Sequence, residues 1–324
     1  MFKWKKIGQI FDPTKFNDGI DRPWMKTHSQ CPNVIIFDDF IRVFFSCRPE
    51  PDENNQYVSY TTFLDLDKND LTKIIKVSKS PILELGELGT FDEFGVYPTC
   101  VINKDAKLFL YYAGWTRLVS TFSNVAIGLA ISNNDGVSFE RIGKGPIMTR
   151  TVKEPFVISG PKVRKINNLW YMYYLAGEKW VLNDKNKAEV IYKIRLATSN
   201  DGLNWNRSGE NIINFVLDDN ECQAGPDVFY YEGKYHMYFS YKHGLDFRNK
   251  ERGYKIGYAY SNDGINWIRD DNLSGIKLSE SGWDSEMMHY PHIFKLEEKI
   301  YMLYNGNDFG RYGLGLAELE RRTK

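Results

Sequence analysis

Apolar residues in this chain gather into short runs with strand-like spacing, and the runs return on a long, even step. Five prolines, Pro32, Pro98, Pro161, Pro226 and Pro291, each lead such a run, and consecutive ones stand 66, 63, 65 and 65 residues apart. A second, aromatic-rich run follows each of them: Phe40 to Ser46, Leu108 to Tyr112, Trp170 to Leu175, Tyr235 to Ser240 and Ile300 to Tyr304. Nowhere do apolar residues hold i, i+3, i+4 and i+7 for more than a turn or two, so helix is expected to be scarce. A fixed period of this length, made of strands and turns, marks a repeat architecture in which each unit buries its apolar faces against its neighbours.

A third strand is expected at Ala126 to Ala130, Ile194 to Ala197, Ile256 to Ala259 and Gly315 to Ala317, with small residues where packing must be close. In units two to four it runs into a turn ending Asn134-Asp135-Gly136, Asn200-Asp201-Gly202 or Asn262-Asp263-Gly264, and then an aromatic (Phe139, Trp205 or Trp267) opens a fourth strand. Asn-Asp-Gly accepts the positive φ of a tight hairpin turn. These turns slightly resemble the Asp-box of bacterial sialidases, but two of the three lack the residue that box places between its acid and its glycine, so they read as plain turns. Unit five ends near Leu319 after three strands. The N-terminal Trp4-Lys5-Lys6-Ile7-Gly8 echoes Phe139-Glu140-Arg141-Ile142-Gly143, so it is expected to supply the missing strand and close the ring without an exposed edge. The predicted fold is all-β: a single five-bladed β-propeller domain over residues 1–324, with four-stranded antiparallel blades.

Composition narrows the partners. Lys plus Arg and Asp plus Glu are 42 each, which argues against a nucleic acid or an anionic membrane. No apolar run is long enough to span a bilayer and none follows the basic N-terminus, so a cytoplasmic location is expected. Cys31, Cys47, Cys100 and Cys222 lie far apart without a C-x-x-C pair, and are expected as free thiols. No metal and no cofactor is expected.

In a propeller the first strand of each blade lines the axis. The segments before the five prolines, and those after the five second strands, should therefore converge at one mouth. The first set brings acids at similar offsets: Glu93, Glu221 and Glu286 five residues before their prolines, Asp92 six, and Glu154, Asp219 and Asp284 seven. Paired carboxylates beside aromatics suit glycosidic-bond chemistry, in which one acid protonates the leaving oxygen and another acts as base or nucleophile. The plainer alternative is that these acids brace loops by pairing with arginines. Candidate sugar-contacting residues are Asp21, His28, Arg48, Glu93, Trp115, Glu178, Trp180, Lys242, Glu286, His289, Asn307 and Arg311. The positive charge among them admits an acidic, phosphorylated or nucleotide-linked sugar.

The count of five blades with acids at the mouth resembles the five-bladed propeller glycosidases: families 43, 32 and 68, and the mannoside phosphorylases of family 130. Locally, Glu221-Cys222-Gln223-Ala224-Gly225-Pro226-Asp227 resembles the invertase Glu-Cys-Pro-Asp segment with residues inserted, and Tyr304 to Gly310 resembles a closing blade of these enzymes. The resemblance implies a glycoside hydrolase, phosphorylase or transglycosidase with Glu221 as general acid. It also implies a blade-one aspartate that this chain lacks, since Lys26 to Pro32 carries none. Asp92 or Asp284 would then serve as its partner, with Asp21 a third option. A non-catalytic propeller binding a glycan or sugar nucleotide is the alternative, and it predicts that every axial carboxylate is engaged by Arg or Lys. The oligomeric state is left open.

Overall fold

A computed structural model describes residues 2–320. The chain opens with β1 (Trp4–Phe11) and then builds four sheets in order. Blade 1 is β2 (Thr27–Ile36), β3 (Phe40–Arg48), β4 (Tyr60–Asp67) and β5 (Ile74–Val77), and blade 2 is β6 (Gly95–Lys104), β7 (Lys107–Arg117), β8 (Ser123–Ser132) and β9 (Glu140–Arg141). Blade 3 is β10 (Ile158–Ile166), β11 (Leu169–Leu182), β12 (Ala188–Ser199) and β13 (Asn206–Asn211). Blade 4 is β14 (Cys222–Tyr231), β15 (Lys234–Lys242), β16 (Lys255–Ser261) and β17 (Ile268–Arg269). Blade 5 is β18 (His289–Leu296), β19 (Lys299–Asn305) and β20 (Leu314–Leu319), completed by β1. The expected closure is present: Trp4 stands opposite Leu319 and Phe11 opposite Leu314. Among the described residues helix is confined to single turns at Asp271–Leu273 and Asn307–Gly310, the second with Asp308 and Phe309 in left-handed conformation.

The core is divided among the seams between blades. One cluster joins Phe44 and Phe63 of blade 1 to Val101 and Leu110 of blade 2. Its counterparts lie between blades 2 and 3, 3 and 4, 4 and 5, and 5 and 1. The hairpin turns lock these seams. Ser199 and Asp201 fold their turn through hydrogen bonds to its own N–H groups, and Gly202 then presents its carbonyl to Tyr111 of the preceding blade at 2.9 Å. The same arrangement at Ser261 and Asp263 offers Gly264 to Tyr173 at 2.8 Å. The aromatic after each turn enters that seam edge-on, Trp205 against Tyr111 and Trp267 against Tyr173. Three of the four cysteines, Cys47, Cys100 and Cys222, are buried inside blades as free thiols. Cys31 is different, because it faces the axis.

Candidate functional site

All five prolines fall at a break in the pairing of the first and second strands: between Gln30 and Asn33, Tyr97 and Cys100, Ser159 and Lys162, Ala224 and Asp227, and His289 and His292. Proline has no N–H to give to the ladder, so the strand bulges there. In four blades the residue before it takes a left-handed conformation: Cys31 (φ 56), Gly160 (φ 58), Gly225 (φ 55) and Tyr290 (φ 50). The bulge aims the residues on either side of the proline at the axis.

The residues just after the prolines, Asn33, Thr99, Lys162, Asp227 and His292, meet there and tie the blades together. Asn33 Nδ2 donates to the carbonyls of Pro98 and Thr99 at 2.9 and 2.7 Å, and Lys162 Nζ donates to Asn33 Oδ1 at 3.0 Å. Asp227 accepts from Arg164 and from the N–H of Ile293, and pairs with His292 Nδ1 at 3.0 Å. The backbone N–H of Val34 donates to His292 Nε2 at 3.0 Å, which places the imidazole proton on Nδ1, facing Asp227. Burial opposes the charge on Asp227, but Lys162, Arg164 and His292 outweigh it and hold the carboxyl well below its usual range. This ring forms the floor beneath a cavity.

The cavity has a volume of about 220 Å³ and opens into a wider mouth of about 660 Å³. Tyr97, Phe122, Val190, Tyr192, Tyr254 and Tyr290 line both parts. His28, Gln30, Arg48, Lys242, Phe247 and Arg248 line the mouth. Arg48 Nη2 donates to the Tyr97 hydroxyl at 2.8 Å while its Nε is buried without a hydrogen-bond partner. Lys242 is buried with Nζ 3.3 Å from the Phe247 ring centroid, donates to the carbonyl of His243 at 3.2 Å and also bonds Cys222. Among the described residues no carboxylate lies within 4.0 Å of it. Burial lowers the Lys242 pKa. His28, bonded to Thr27 Oγ1 at 2.8 Å, is pushed down to about 2 by burial and then by Arg48 and Arg311. Burial raises the Cys31 thiol to about 12, so it is no nucleophile at neutral pH.

The acids expected at the mouth do not line the cavity. Glu221, Asp92 and Asp284 are buried, line neither part of the cavity, and are held by bases on the fourth strand of their own blades. Arg269 of β17 reaches Glu221 at 2.6 Å, Arg141 of β9 reaches Asp92 at 2.7 Å, and Lys6 of β1 reaches Asp284 at 2.7 Å. Glu154 follows the rule in blade 3 with Arg207 of β13 at 3.0 Å. A second-strand tyrosine donates to three of these acids: Tyr112 to Asp92, Tyr174 to Glu154 and Tyr304 to Asp284. Blade 4 has Phe239 at that register, and Gln223 supplies the bond to Glu221 instead. In blade 1 the polarity is reversed. Arg22 of the incoming loop donates to the carbonyls of Val77 and Ser78 at the end of β5, so no acid is needed there. These carboxylates are braces between each incoming loop and its blade.

The other expected contacts divide. His28, Arg48 and Lys242 reach the mouth, Trp115 lines a recess beside it with Arg48 and Phe122, and Trp180 packs edge-on against Phe122. His289 is buried behind the mouth, stacked on Tyr254 at 5.2 Å. Glu93 caps its own loop at Gly89, and Asn307 holds the N–H groups of Glu286 and Met287. Glu178 pairs with Arg195, while Asp21 and Arg311 line an outer recess, Asp21 paired to Lys26. Among the described residues no group of three or more His, Cys, Asp or Glu side chains is placed to hold a metal ion. The pre-proline segments expected at the mouth do bring Tyr97 and Tyr290 there, whereas sequence reasoning missed Tyr192, Tyr254 and Glu189, and the post-proline ring beneath them. The ring's signal was in plain view, a polar residue one place after each proline.

No family model matches the chain. It is 32% identical over 318 residues to the uncharacterized protein Rv1502 of Mycobacterium tuberculosis (strain ATCC 25618 / H37Rv), covering 98% of this chain and 99% of that protein. It is 25% identical over 268 residues to the 1,2-beta-oligomannan phosphorylase of Thermoanaerobacter sp. (strain X514), covering 78% and 79% of the two. A solved structure described as a glycoside hydrolase superposes with a TM-score of 0.74 at 15% identity, over 98% of this chain and 91% of that one. The chain therefore belongs to the family of Rv1502, and its fold is the five-bladed propeller of the glycoside hydrolases and mannoside phosphorylases.

Proposed function

We propose that the axial cavity binds a carbohydrate together with an oxyanion, and that its reaction class is glycosyl transfer to or from phosphate rather than hydrolysis by a carboxylate pair. Lys242 is the observation that carries this reading. A buried ammonium with no carboxylate in contact is costly, since Glu189 acts on it only from a distance, and an oxyanion entering the mouth would supply a close counter-charge. Arg48, with a buried and unpartnered Nε, lines the same space. The tyrosines provide flat faces for a sugar ring and hydroxyls for its oxygens. The carboxylate that lines the mouth, Glu189, is within 3.1 Å of Arg248 and is the group placed to exchange a proton with a glycosidic oxygen. The likeness to a protein named as an oligomannan phosphorylase points to the same pairing of sugar and phosphate.

The test is incubation with β-1,2-linked mannosides, with and without inorganic phosphate, following glycosyl phosphate by phosphorus NMR. Phosphate-dependent product, lost in Lys242→Met, is the expected result; release of free sugar at the same rate without phosphate would sink the proposal. A second reading has its own support. Each carboxylate at the mouth and on the axis, Glu189 and Asp227, is already engaged by arginine, as a non-catalytic sugar-binding propeller would have it. That reading predicts a thermal shift with sugar and phosphate but no turnover.

A further inference from the structure

The cavity has two unlike walls. At the mouth Arg48 and Lys242 come from blades 1 and 4, whereas blades 2 and 3 contribute the apolar Val125, Val157, Leu175 and Val190, with Lys162 below them on the floor and Lys187 at the rim. This apolar wall continues past the rim. The loop 118–122 between β7 and β8 carries Leu118, Val119 and Phe122, which are 42%, 107% and 60% exposed. All three line the mouth, and Phe122 also lines the inner cavity. Its ring meets Trp180 of β11 edge-on at 5.4 Å, which joins this loop to the long β11–β12 arm. Single exposed apolar side chains need no explanation, but a run that leads from solvent into a ligand cavity marks an interaction site.

We propose that the ligand of this site is amphipathic: a sugar or phosphoryl head on the cationic side, and a hydrocarbon chain or apolar aglycone laid along the wall of blades 2 and 3 and out over residues 118–122. The inference rests on the oxyanion reading of the cavity and names the substrate class that reading leaves open. Continuity decides between this occupant and a membrane surface. A membrane-docking loop turns its apolar side chains outward, away from the site, while here Phe122 is shared between rim and cavity. The apolar wall and the cations also open into one mouth, so a head group and its chain can be bound at once.

The test is isothermal titration of the full chain with straight-chain alkyl phosphates from methyl to decyl, each below its micelle concentration. Affinity is expected to rise roughly fourfold for each methylene over the first several carbons and then level off once the wall is covered. The triple substitution Leu118→Ser, Val119→Ser, Phe122→Ser should flatten that rise; Val119→Asp, at a fully exposed position, is the fallback if the triple variant does not fold. An affinity independent of chain length in the native protein, or a rise left intact by these substitutions, overturns the inference. Methyl phosphate separates the two claims: binding without chain dependence leaves the oxyanion reading standing, and no binding by any member of the series removes both. In a parallel arm the native protein is sedimented with phosphatidylglycerol vesicles. Vesicle binding lost in the triple variant, without chain dependence in the titration, would make the rim a membrane contact and overturn the proposal.

Discussion

Glu221→Gln separates a brace from a catalytic acid. The native carboxylate is fully buried and accepts from Arg269 Nη1 at 2.6 Å, from Gln223 Nε2 at 2.8 Å, and from the N–H groups of Val216 and Leu217 at 2.9 and 3.1 Å. Four donors converge on it, so the amide of glutamine turns its own NH₂ toward at least one of them. Arg269 meanwhile keeps only Asp271, at 2.8 Å, as a charged partner. Removing one member of a buried ion pair costs about 3–5 kcal/mol, and the retained Asp271 places this change near the lower end, at about 3 kcal/mol. An unfolding entropy of about 2.1 cal/mol/K per residue, taken over 324 residues, is about 0.7 kcal/mol/K. The melting temperature should therefore fall by about 4 °C. Scanning calorimetry checks that figure, and a phosphate titration well below both transitions should give a Kd within about twofold of native, because Glu221 does not line the cavity. A melting temperature within about 1 °C of native, combined with complete loss of carbohydrate turnover, would refute the brace and restore Glu221 as a chemical acid. Asp92→Asn and Asp284→Asn repeat the experiment with smaller losses, since Arg141 and Lys6 are 20% and 24% exposed and can be rehydrated.

Acid should unfold the protein early. Burial holds His28 at about 2, His289 at about 3 and His292 at about 4, whereas the same imidazoles titrate near 6.5 in the unfolded chain. The unfolded state thus takes up protons first, so stability is intact above about pH 6.5 and falls below it by about 1.4 kcal/mol per pH unit for each group. Between pH 6.5 and 4.5 the three together remove about 8 kcal/mol, comparable to a typical domain's whole stability; a melting temperature that holds constant over that range would contradict this. At the seams, Tyr111→Phe and Tyr173→Phe each remove a hydroxyl bond to a turn carbonyl, and urea unfolding should show a loss of about 1 kcal/mol for each. The losses should add in the double variant, because the two bonds share no partner, and marked non-additivity would show that the seams do not behave independently.

The architecture was legible because its punctuation is local. A proline at the first-strand bulge of every blade, an Asn-Asp-Gly turn before the fourth strand in units two to four and an N-terminal echo of that strand are all readable within a dozen residues, and Trp4 does pair with Leu319. The site was not legible in the same way. Asp92, Glu154, Glu221 and Asp284 sit in irregular loops, where distance from a proline fixes neither direction nor depth, and their true partners Arg141, Arg207, Arg269 and Lys6 lie far off in sequence. Gly128 and Gly257 were read as close-packing positions, and the reason is now plain: a Cβ at either would strike the aromatic ring standing opposite on the second strand, Tyr112 or Phe239, at 2.2 or 2.6 Å. Tyr192 and Tyr254 come from different blades, 62 residues apart, and become neighbours only when blades 3 and 4 pack together.

Lys242→Met tests the central claim most directly, since it removes the buried ammonium and keeps the side chain's length. Two quantities are read from one preparation: melting temperature without ligand, and phosphate affinity by titration calorimetry. A cation held for an incoming oxyanion costs stability until that anion arrives, so the variant should melt higher than native yet bind phosphate about 10-fold to 100-fold more weakly, the worth of a charge-assisted hydrogen bond. Unchanged phosphate affinity in Lys242→Met, or no phosphate binding by the native chain, would contradict the assignment of the axial mouth as an oxyanion and sugar site.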